Sequence, residues 1–247
     1  MSDAPHILLL AGSAEARDLG AALDRLGHGF RVLMSEPARG EPPFSRTPDY
    51  RDFSGVNDMV LYLQETRARA ILDASHGFDG ELTDQASHAA RALGLPYLRL
   101  KRPPWDVTEH PRWRAARSVA AAMPMIAPGA RVFSATGWAS LPDYARFPGD
   151  VLLLRQTRQH RRKPPFPFVE PVFGLPPFTK ASETQLFEEM GVDLLICRNI
   201  GGLPSRPKLE AAKALGLDVI LVDRPVPPPG LSQVETVEAA LDWVASL

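Results

Sequence analysis

The sequence predicts an α/β fold of two lobes built on parallel sheets, and three observations carry that prediction. Apolar runs of strand length alternate with stretches of helical spacing along the whole chain. The first run, at 6–11, is apolar on both faces beyond its opening histidine, as a strand covered from both sides must be. Proline-rich breaks then divide the alternation into two stretches, and the first strand–helix–strand unit closes within about thirty residues.

In chain order, the strand at 6–11 runs into a turn at Gly12 and a helix over 14–26. The Gly27-His28-Gly29 turn leads to a second strand over 30–34, followed by a proline-rich loop. A helix over 56–66, a strand over 70–74, a helix over 81–93 and a strand over 96–100 complete the first lobe. Beyond Lys101-Arg102-Pro103-Pro104-Trp105 the pattern resumes with a helix over 112–122 and strands over 131–134 and 151–154. After a further proline break come a helix over 182–190, a strand over 193–197, a helix over 208–215, a strand over 219–222 and a terminal helix over 233–244. The lobe boundary falls near residue 101, giving lobes of 1–101 and 102–247 with ligands expected in a cleft between them. One continuous doubly wound sheet is the alternative, and no tandem repeat is present.

Composition narrows the function classes. Of 247 residues, 45% are hydrophobic and 23% charged, as in a globular protein with a packed core. A formal net charge of -1 excludes nucleic-acid binding driven by overall charge, so an anionic ligand must be met locally. No apolar run approaches the roughly 20 residues of a membrane span, and the N-terminus lacks the layout of a secretory signal. The lone Cys197 cannot form an internal disulfide, and no Cys/His spacing suggests a metal site, so a reducing, cytoplasmic setting is expected. The 25 prolines mark stiff loops and helix stops. The pattern specifies no oligomeric state.

Ligands of open parallel sheets bind beyond the carboxyl ends of the strands, where helix N-termini present free N–H groups. At the first exit stand Ala11-Gly12-Ser13-Ala14-Glu15; Gly12 permits close approach of a phosphate, and Ser13 and Ala14 offer a hydroxyl and amides. A tight structural turn explains the same residues. At the second exit Ser35 and Arg39 suit a 2′-phosphate and hence NADPH, whereas Glu36, if it faces the ribose, suits NAD. Asp73-Ala74-Ser75-His76 brings a hydroxyl and an imidazole to a central exit; His76 is a candidate proton donor or a core histidine with a backbone partner. A Ser/His/Asp triad from these neighbours is disfavoured, since adjacent strand residues face opposite ways and no G-x-S-x-G elbow is present.

Further exits carry Thr136-Gly137 and Arg198-Asn199-Ile200-Gly201-Gly202. Cations gather near strand ends: Arg99, Lys101 and Arg102, then Arg155, Arg158 and 161–163, then Arg198, Arg206 and Lys208. They suit an anionic substrate or, for 161–163, a solvated loop. Phe166, Phe168, Phe173 and Phe178 are interleaved there and suit either a flat ring or loop packing. Cys197 reads as a small buried hydrophobe.

Together these residues resemble the precorrin-6A reductase family, which reduces the corrin-ring precursor in cobalamin biosynthesis. The resemblance runs over nearly the whole chain: Leu8 to Glu15, Asp73 to Phe78, Arg102 to Trp105, Arg198 to Gly202, Lys208 to Ala212 and Arg224-Pro225. Ala11, Gly77, Arg198 and Ile200 depart from the family's usual residues. The resemblance implies two Rossmann-like lobes and NADPH-dependent reduction of one double bond of a polycarboxylate tetrapyrrole. Gly12, Ser13, Ala14, Glu15, Ser35, Arg39, Ser75, Thr136 and Gly137 would then contact the cofactor. Arg102, Arg198, Asn199, Gly201, Gly202 and Lys208 would contact the substrate, and His76 is the candidate acid. A reductase of the same architecture acting on another substrate, the cobalt-loaded ring included, and a non-catalytic dinucleotide sensor are the rival readings.

Overall fold

The computed structural model describes residues 6–35 and 44–247, and the chain divides into two compact units, 1–103 with 225–247 and 104–224. In the first unit the strands β1 (His6–Ala11), β2 (Phe30–Met34), β3 (Asp49–Tyr50), β4 (Ala68–Ala74), β5 (Tyr97–Leu100) and β12 (Gln233–Val234) form one parallel sheet. Their order is β12-β5-β4-β1-β2-β3. Every residue of β1 is buried because helices cover both faces. Ile7, Leu9 and Ala11 join a core with Leu19 and Leu23 of α1 (Ala14–Arg25) and Ala240 and Val244 of α7 (Val237–Ala245). Leu8 and Leu10 face the other way, onto Met59 and Leu63 of α2 (Val56–Glu65) and Leu82 and Ala86 of α3 (Gly80–Leu93).

The second unit repeats the plan. Its strands are β6 (Trp113–Ala116), β7 (Arg131–Ala135), β8 (Val151–Gln156), β9 (Val169–Phe173), β10 (Leu194–Arg198) and β11 (Asp218–Val222), all parallel in the order β6-β11-β10-β7-β8-β9. The helices are the single turn α4 (Val119–Ala122), α5 (Lys180–Glu189) and α6 (Pro207–Ala214), with a 3-10 turn over Trp138–Tyr144. Thr179 caps α5 through a reciprocal capping box with Ser182, which fixes where that helix begins. Phe133, Phe187, Leu195 and Leu209 centre the core between sheet and helices.

Two separate sheets exclude the single-sheet alternative. The assignment of everything after 101 to one lobe is corrected at the C-terminus: β12 hydrogen-bonds beside β5, and α7 buries Ala240 and Val244 in the first unit. The helix expected over 112–122 is instead β6 followed by the single turn α4. Helix-forming alanines suggested otherwise, but pairing of 113–116 with β11 overrides local propensity. The short strands β3 and β12 lack a run long enough to read, and β9 was hidden by Pro171, which an edge strand tolerates.

Val244→Ala should lower the stability of the first unit by about 1–3 kcal/mol through the cavity it leaves. Urea unfolding followed through Trp243, the tryptophan of that unit, measures it; an unchanged midpoint would remove α7 from the core.

Candidate functional site

Ligand space opens in a doubly wound sheet where successive connections leave on opposite faces. In the first unit that point lies between β1 and β4. Gly12 leaves β1 there, and a Cβ on it would stand 2.5 Å from the amide nitrogen of His76 and 3.2 Å from the carbonyl carbon of Ser75. Backbone therefore excludes any side chain at 12, whether or not a ligand binds. Ser13 is the N-cap of α1: its Oγ accepts from the Ala16 N–H at 3.2 Å and donates to the Ala74 carbonyl at 2.9 Å. The hydroxyl that the sequence offers to a phosphate thus holds the Ala74 carbonyl here and caps the helix. The first amides of the helix, on Ala14 and Glu15, have no partner within the helix and point out of its N-terminus.

Asp73 organises the β4 exit. Fully buried, it accepts from the Ser75 N–H at 2.9 Å on one oxygen and from Thr83 Oγ1 at 2.8 Å and the Tyr97 hydroxyl at 2.6 Å on the other. Arg99 stands 4.0 Å away. Burial, with the Asp73 charge, pushes the Tyr97 hydroxyl far above its usual range, so it stays a donor. Ser75 is 6% exposed, and its Oγ has no hydrogen-bond partner among the described residues. Leaving such a group unpaired costs about 1–3 kcal/mol. His76 accepts the Phe78 N–H on Nδ1 at 3.2 Å, which puts the neutral ring's proton on Nε2.

Ser35 follows β2, and its Oγ donates to Asp79 Oδ2 at 3.0 Å. A carboxylate therefore stands beside the exit where the sequence suggests a phosphate contact. Arg39 and Glu36, the other residues of that expectation, lie outside the described residues. Arg102 Nη1 meets Glu15 Oε1 at 2.8 Å, the two side chains being 17% and 23% exposed. That pair ties the segment after β5 to the first turn of α1, where a carboxylate also suits the helix dipole. Arg102, expected to hold substrate, has this structural partner.

The corresponding point of the second unit lies between β7 and β10. Gly137 has φ +88°, and a Cβ there would stand 3.6 Å from Arg198 Nη2, so the Arg198 guanidinium lies against the β7 exit. Thr136 is fully buried with its hydroxyl among Ser134 Oγ at 2.9 Å, Ser140 Oγ at 2.7 Å and the Tyr144 hydroxyl at 3.1 Å. Its side chain, expected near the nicotinamide, fastens the 3-10 turn to β7. Asn199 is likewise committed: Oδ1 accepts the Trp105 N–H at 2.8 Å and Nδ2 donates to the Trp105 carbonyl at 3.0 Å. Trp105 Nε1 donates to the Gly202 carbonyl at 3.0 Å, across the successive left-handed residues Gly201 (φ +66°) and Gly202 (φ +74°). The Asn-x-Gly-Gly loop is therefore a clamp on Trp105, and the Asn199 side chain, expected to meet substrate, gives both its amide atoms to it.

Lys208 Nζ lies 5.5 Å from the centre of the Trp105 ring and donates to the Ser205 carbonyl at 2.5 Å. Desolvation holds its pKa below the usual lysine value. It lines a cavity of about 100 Å³ with Phe133, Arg155, Phe178 and Glu183. Arg155 there pairs with Glu183 at 2.6 Å and lies over the rings of Phe133 and Phe178. Arg206 is bound to Glu109 and Glu210. Several of the grouped cations are thus neutralised by acids, while 161–163 are exposed. Phe166 and Phe168 stack on each other, and Phe168 lies tilted against Phe147, at the entering end of β9, away from the exits, whereas Phe173 ends that strand. Asp79, the partner of Ser35, was missed by sequence reasoning, since it lies 44 positions further along the chain. Among the described residues no group of three His, Cys, Asp or Glu is placed to hold a metal, and no helix is long and apolar enough to cross a membrane.

Comparison with known proteins gives a match over residues 6–245 to the family described as Precorrin-6x reductase CbiJ/CobK. A precorrin-6A reductase of Mycobacterium tuberculosis (strain ATCC 25618 / H37Rv) is 34% identical over 255 residues, covering 98% of each chain. That of Rhodococcus erythropolis is 32% identical over 249 residues, again covering 98% of each. A cobalt-precorrin-6A reductase of Priestia megaterium is 27% identical over 230 residues, covering 89% of this chain and 90% of its own. Among solved structures, one described as CobK precorrin-6A reductase superposes with a TM-score of 0.89 at 29% identity, covering 98% of this chain and 97% of its own.

Asp73→Ala should destabilise the fold by about 3–5 kcal/mol, because it strands a buried cation and three donors; Asp73→Asn, which keeps one acceptor, should cost about 1–3 kcal/mol. Chemical denaturation orders the two, and equal losses would reject the network. Cys197 is fully buried and its thiol is pushed up to about 11 by that burial, so a disulfide reagent at pH 8 should leave the native protein unlabelled and label one thiol after unfolding.

Proposed function

The chain belongs to the precorrin-6x reductase family, an oxidoreductase family of cobalamin biosynthesis, and on that premise we propose that it reduces one double bond of precorrin-6A to give precorrin-6B with NADPH. The reaction adds a hydride to one carbon and a proton to its neighbour, so charge and atoms balance with release of NADP⁺. What carries the reading is the end-to-end family match. The higher identity to relatives named for precorrin-6A than to the one named for the cobalt-loaded ring supports a metal-free substrate. A cytoplasmic setting belongs to the same proposal.

A nicotinamide cofactor fits the residues of the first unit. The amides of Ala14 and Glu15 at the start of α1 would receive the pyrophosphate, beside a Gly12 that no larger residue can replace. The unpartnered Ser75 hydroxyl supports a polar contact at the β4 exit. NADPH, when bound, supplies the hydride. His76 holds a proton on Nε2 and is the proposed acid, kept in that tautomer by the Phe78 amide. In the second unit, Arg198 and Lys208 are the proposed partners of substrate carboxylates, since guanidinium and ammonium groups bind such groups by charge-assisted hydrogen bonds.

The choice of NADPH over NADH turns on the β2 exit. Asp79 accepts from Ser35 there, and an anionic oxygen beside a 2′-phosphate disfavours it unless a cation joins them. Arg39 is the proposed cation.

NADPH oxidation in the presence of precorrin-6A should be rapid, and slower with its cobalt complex; no turnover of either would sink the reductase reading. Arg39→Ala should weaken NADPH by about 1.5–3 kcal/mol while barely moving NADH, and Asp79→Asn should shift the preference further towards NADPH. Equal changes for both cofactors would reject the ribose-phosphate role. His76→Ala should lower kcat with NADPH affinity kept, and turnover at the wild-type rate would remove it as the acid.

A further inference from the structure

Next to Gly137 and Arg198, the second unit holds a surface at the ends of β7, β8 and β9 whose rings have so far been given no role. Parallel pairing sets Ser134 opposite Leu154 and Gln156 opposite Phe173, so by strand alternation Thr136, Gln156 and Phe173 share one face of the sheet. Arg155 and its cavity belong to the opposite face. On the first face the 3-10 turn is fastened by the Ser134–Thr136–Tyr144 hydroxyls, which anchors Trp138 at its start. The His160 ring stands edge-on to Trp138, with centroids 4.4 Å apart and planes at 86°, and lies 6.5 Å from the ring of Phe173. Phe173 is 45% exposed, and Trp138 and His160 are half-buried. Such rings give broad apolar contact on stiff side chains.

Two polar groups here are left without partners. Gln156 is 8% exposed, and its Nε2 has no hydrogen-bond partner among the described residues. His160 Nδ1 accepts the Arg162 N–H at 3.3 Å, while its Nε2 has no partner of the same kind. A buried amide donor at a strand exit, beside exposed rings, is what a site for a flat ligand with peripheral oxygens presents. Arg198 lies against Gly137, the residue before Trp138, and adds a cation at the rim.

We propose that Trp138, His160 and Phe173 form the surface on which the flat conjugated ring of the substrate rests, with Gln156 Nε2 donating to an oxygen at its periphery. The proposal rests on the reductase reading for the identity of the ring. It makes these residues determinants of tetrapyrrole specificity, separate from the groups that hold the cofactor.

The test compares wild type with Trp138→Ala, Trp138→Phe and Gln156→Leu in the full-length enzyme. Steady-state kinetics give KM for precorrin-6A and NADPH, and equilibrium titration gives the Kd of precorrin-6A. Trp138→Ala should raise the KM and Kd for precorrin-6A about tenfold or more, with the NADPH KM within about twofold, and Trp138→Phe should recover most of the loss. Gln156→Leu should weaken precorrin-6A about fivefold while its melting temperature holds or rises, because an unpaired buried amide has been removed. A merely structural glutamine would not separate affinity from stability in this way. If Trp138→Ala does not fold, Gln156→Leu decides. Wild-type binding of precorrin-6A with Trp138→Ala and Gln156→Leu each within about twofold of it overturns the surface. A wild type that binds the ring without reducing it overturns the reaction instead, and the Kd values still judge the surface.

Discussion

A single methyl group on residue 12 would stand 2.5 Å from the amide nitrogen of His76, closer than real Cβ contacts come. That contact fixes how the first strand and β4 end beside each other, and much of the first unit's chemistry follows from it. With the two exits pressed together, Ser13 reaches the Ala74 carbonyl across the gap and caps α1 at once. The start of α1 is thereby aimed by a hydrogen bond to the neighbouring strand, and its free amides are presented beside Ser75 and His76. Asp73 completes the arrangement from within, since one of its oxygens holds the Ser75 amide and the other holds donors from α3 and β5. The loop is thus set by a buried carboxylate whose own cost is offset by full hydrogen bonding.

The second unit reaches a comparable result by different means. Its glycine, at 137, is required by a positive φ, and the space beside it is taken by the Arg198 guanidinium. Asn199 does for Trp105 what Asp73 does for Ser75, but as a neutral amide pairing with both backbone groups of one residue. The same topology therefore supports an exit shaped around a helix N-terminus in one unit and an exit shaped around cations and rings in the other. The first chemistry suits a pyrophosphate and the second a polycarboxylate ring, although neither preference lies in the strand order itself.

The strand exits were legible in the sequence because the apolar runs that precede them are buried on both faces, as β1, β4 and β10 are. Strand neighbours were less so: β6 is written in Trp-Arg-Ala-Ala, β9 contains a proline, and β12 is two residues long. These are edge strands, where one side lacks a partner and local sequence is least constrained. Side-chain roles divided along another line. Ser13, Thr136 and Asn199 carry the residue types of ligand contacts, but each also suits a cap, a buried hydroxyl network or a backbone clamp. Sequence reports the donor and leaves open the acceptor, which here comes from residues 61 positions away for Ser13 and 94 for Asn199. The cations suffered the same ambiguity, since the acids that neutralise Arg102 and Arg155, and Glu109 beside Arg206, lie far along the chain.

Satisfied and unsatisfied groups therefore carry different information. A buried polar atom with its bonds made explains how a loop holds its shape, and Ser13, Asp73 and Asn199 belong to that class. A buried polar atom with none made costs stability that the isolated fold does not recover. Among the described residues Ser75 Oγ, Gln156 Nε2 and His160 Nε2 are such atoms at or just beyond strand exits, and Trp113 Nε1 is another at the entering end of β6. The exception matters, because an unpaired group is not by position alone a binding group. Ser75 and Gln156 differ from Trp113 in standing where helix N-termini or exposed rings already surround the vacant direction of a parallel sheet, so a ligand that reaches them would regain the missing bond and bury apolar surface in one step.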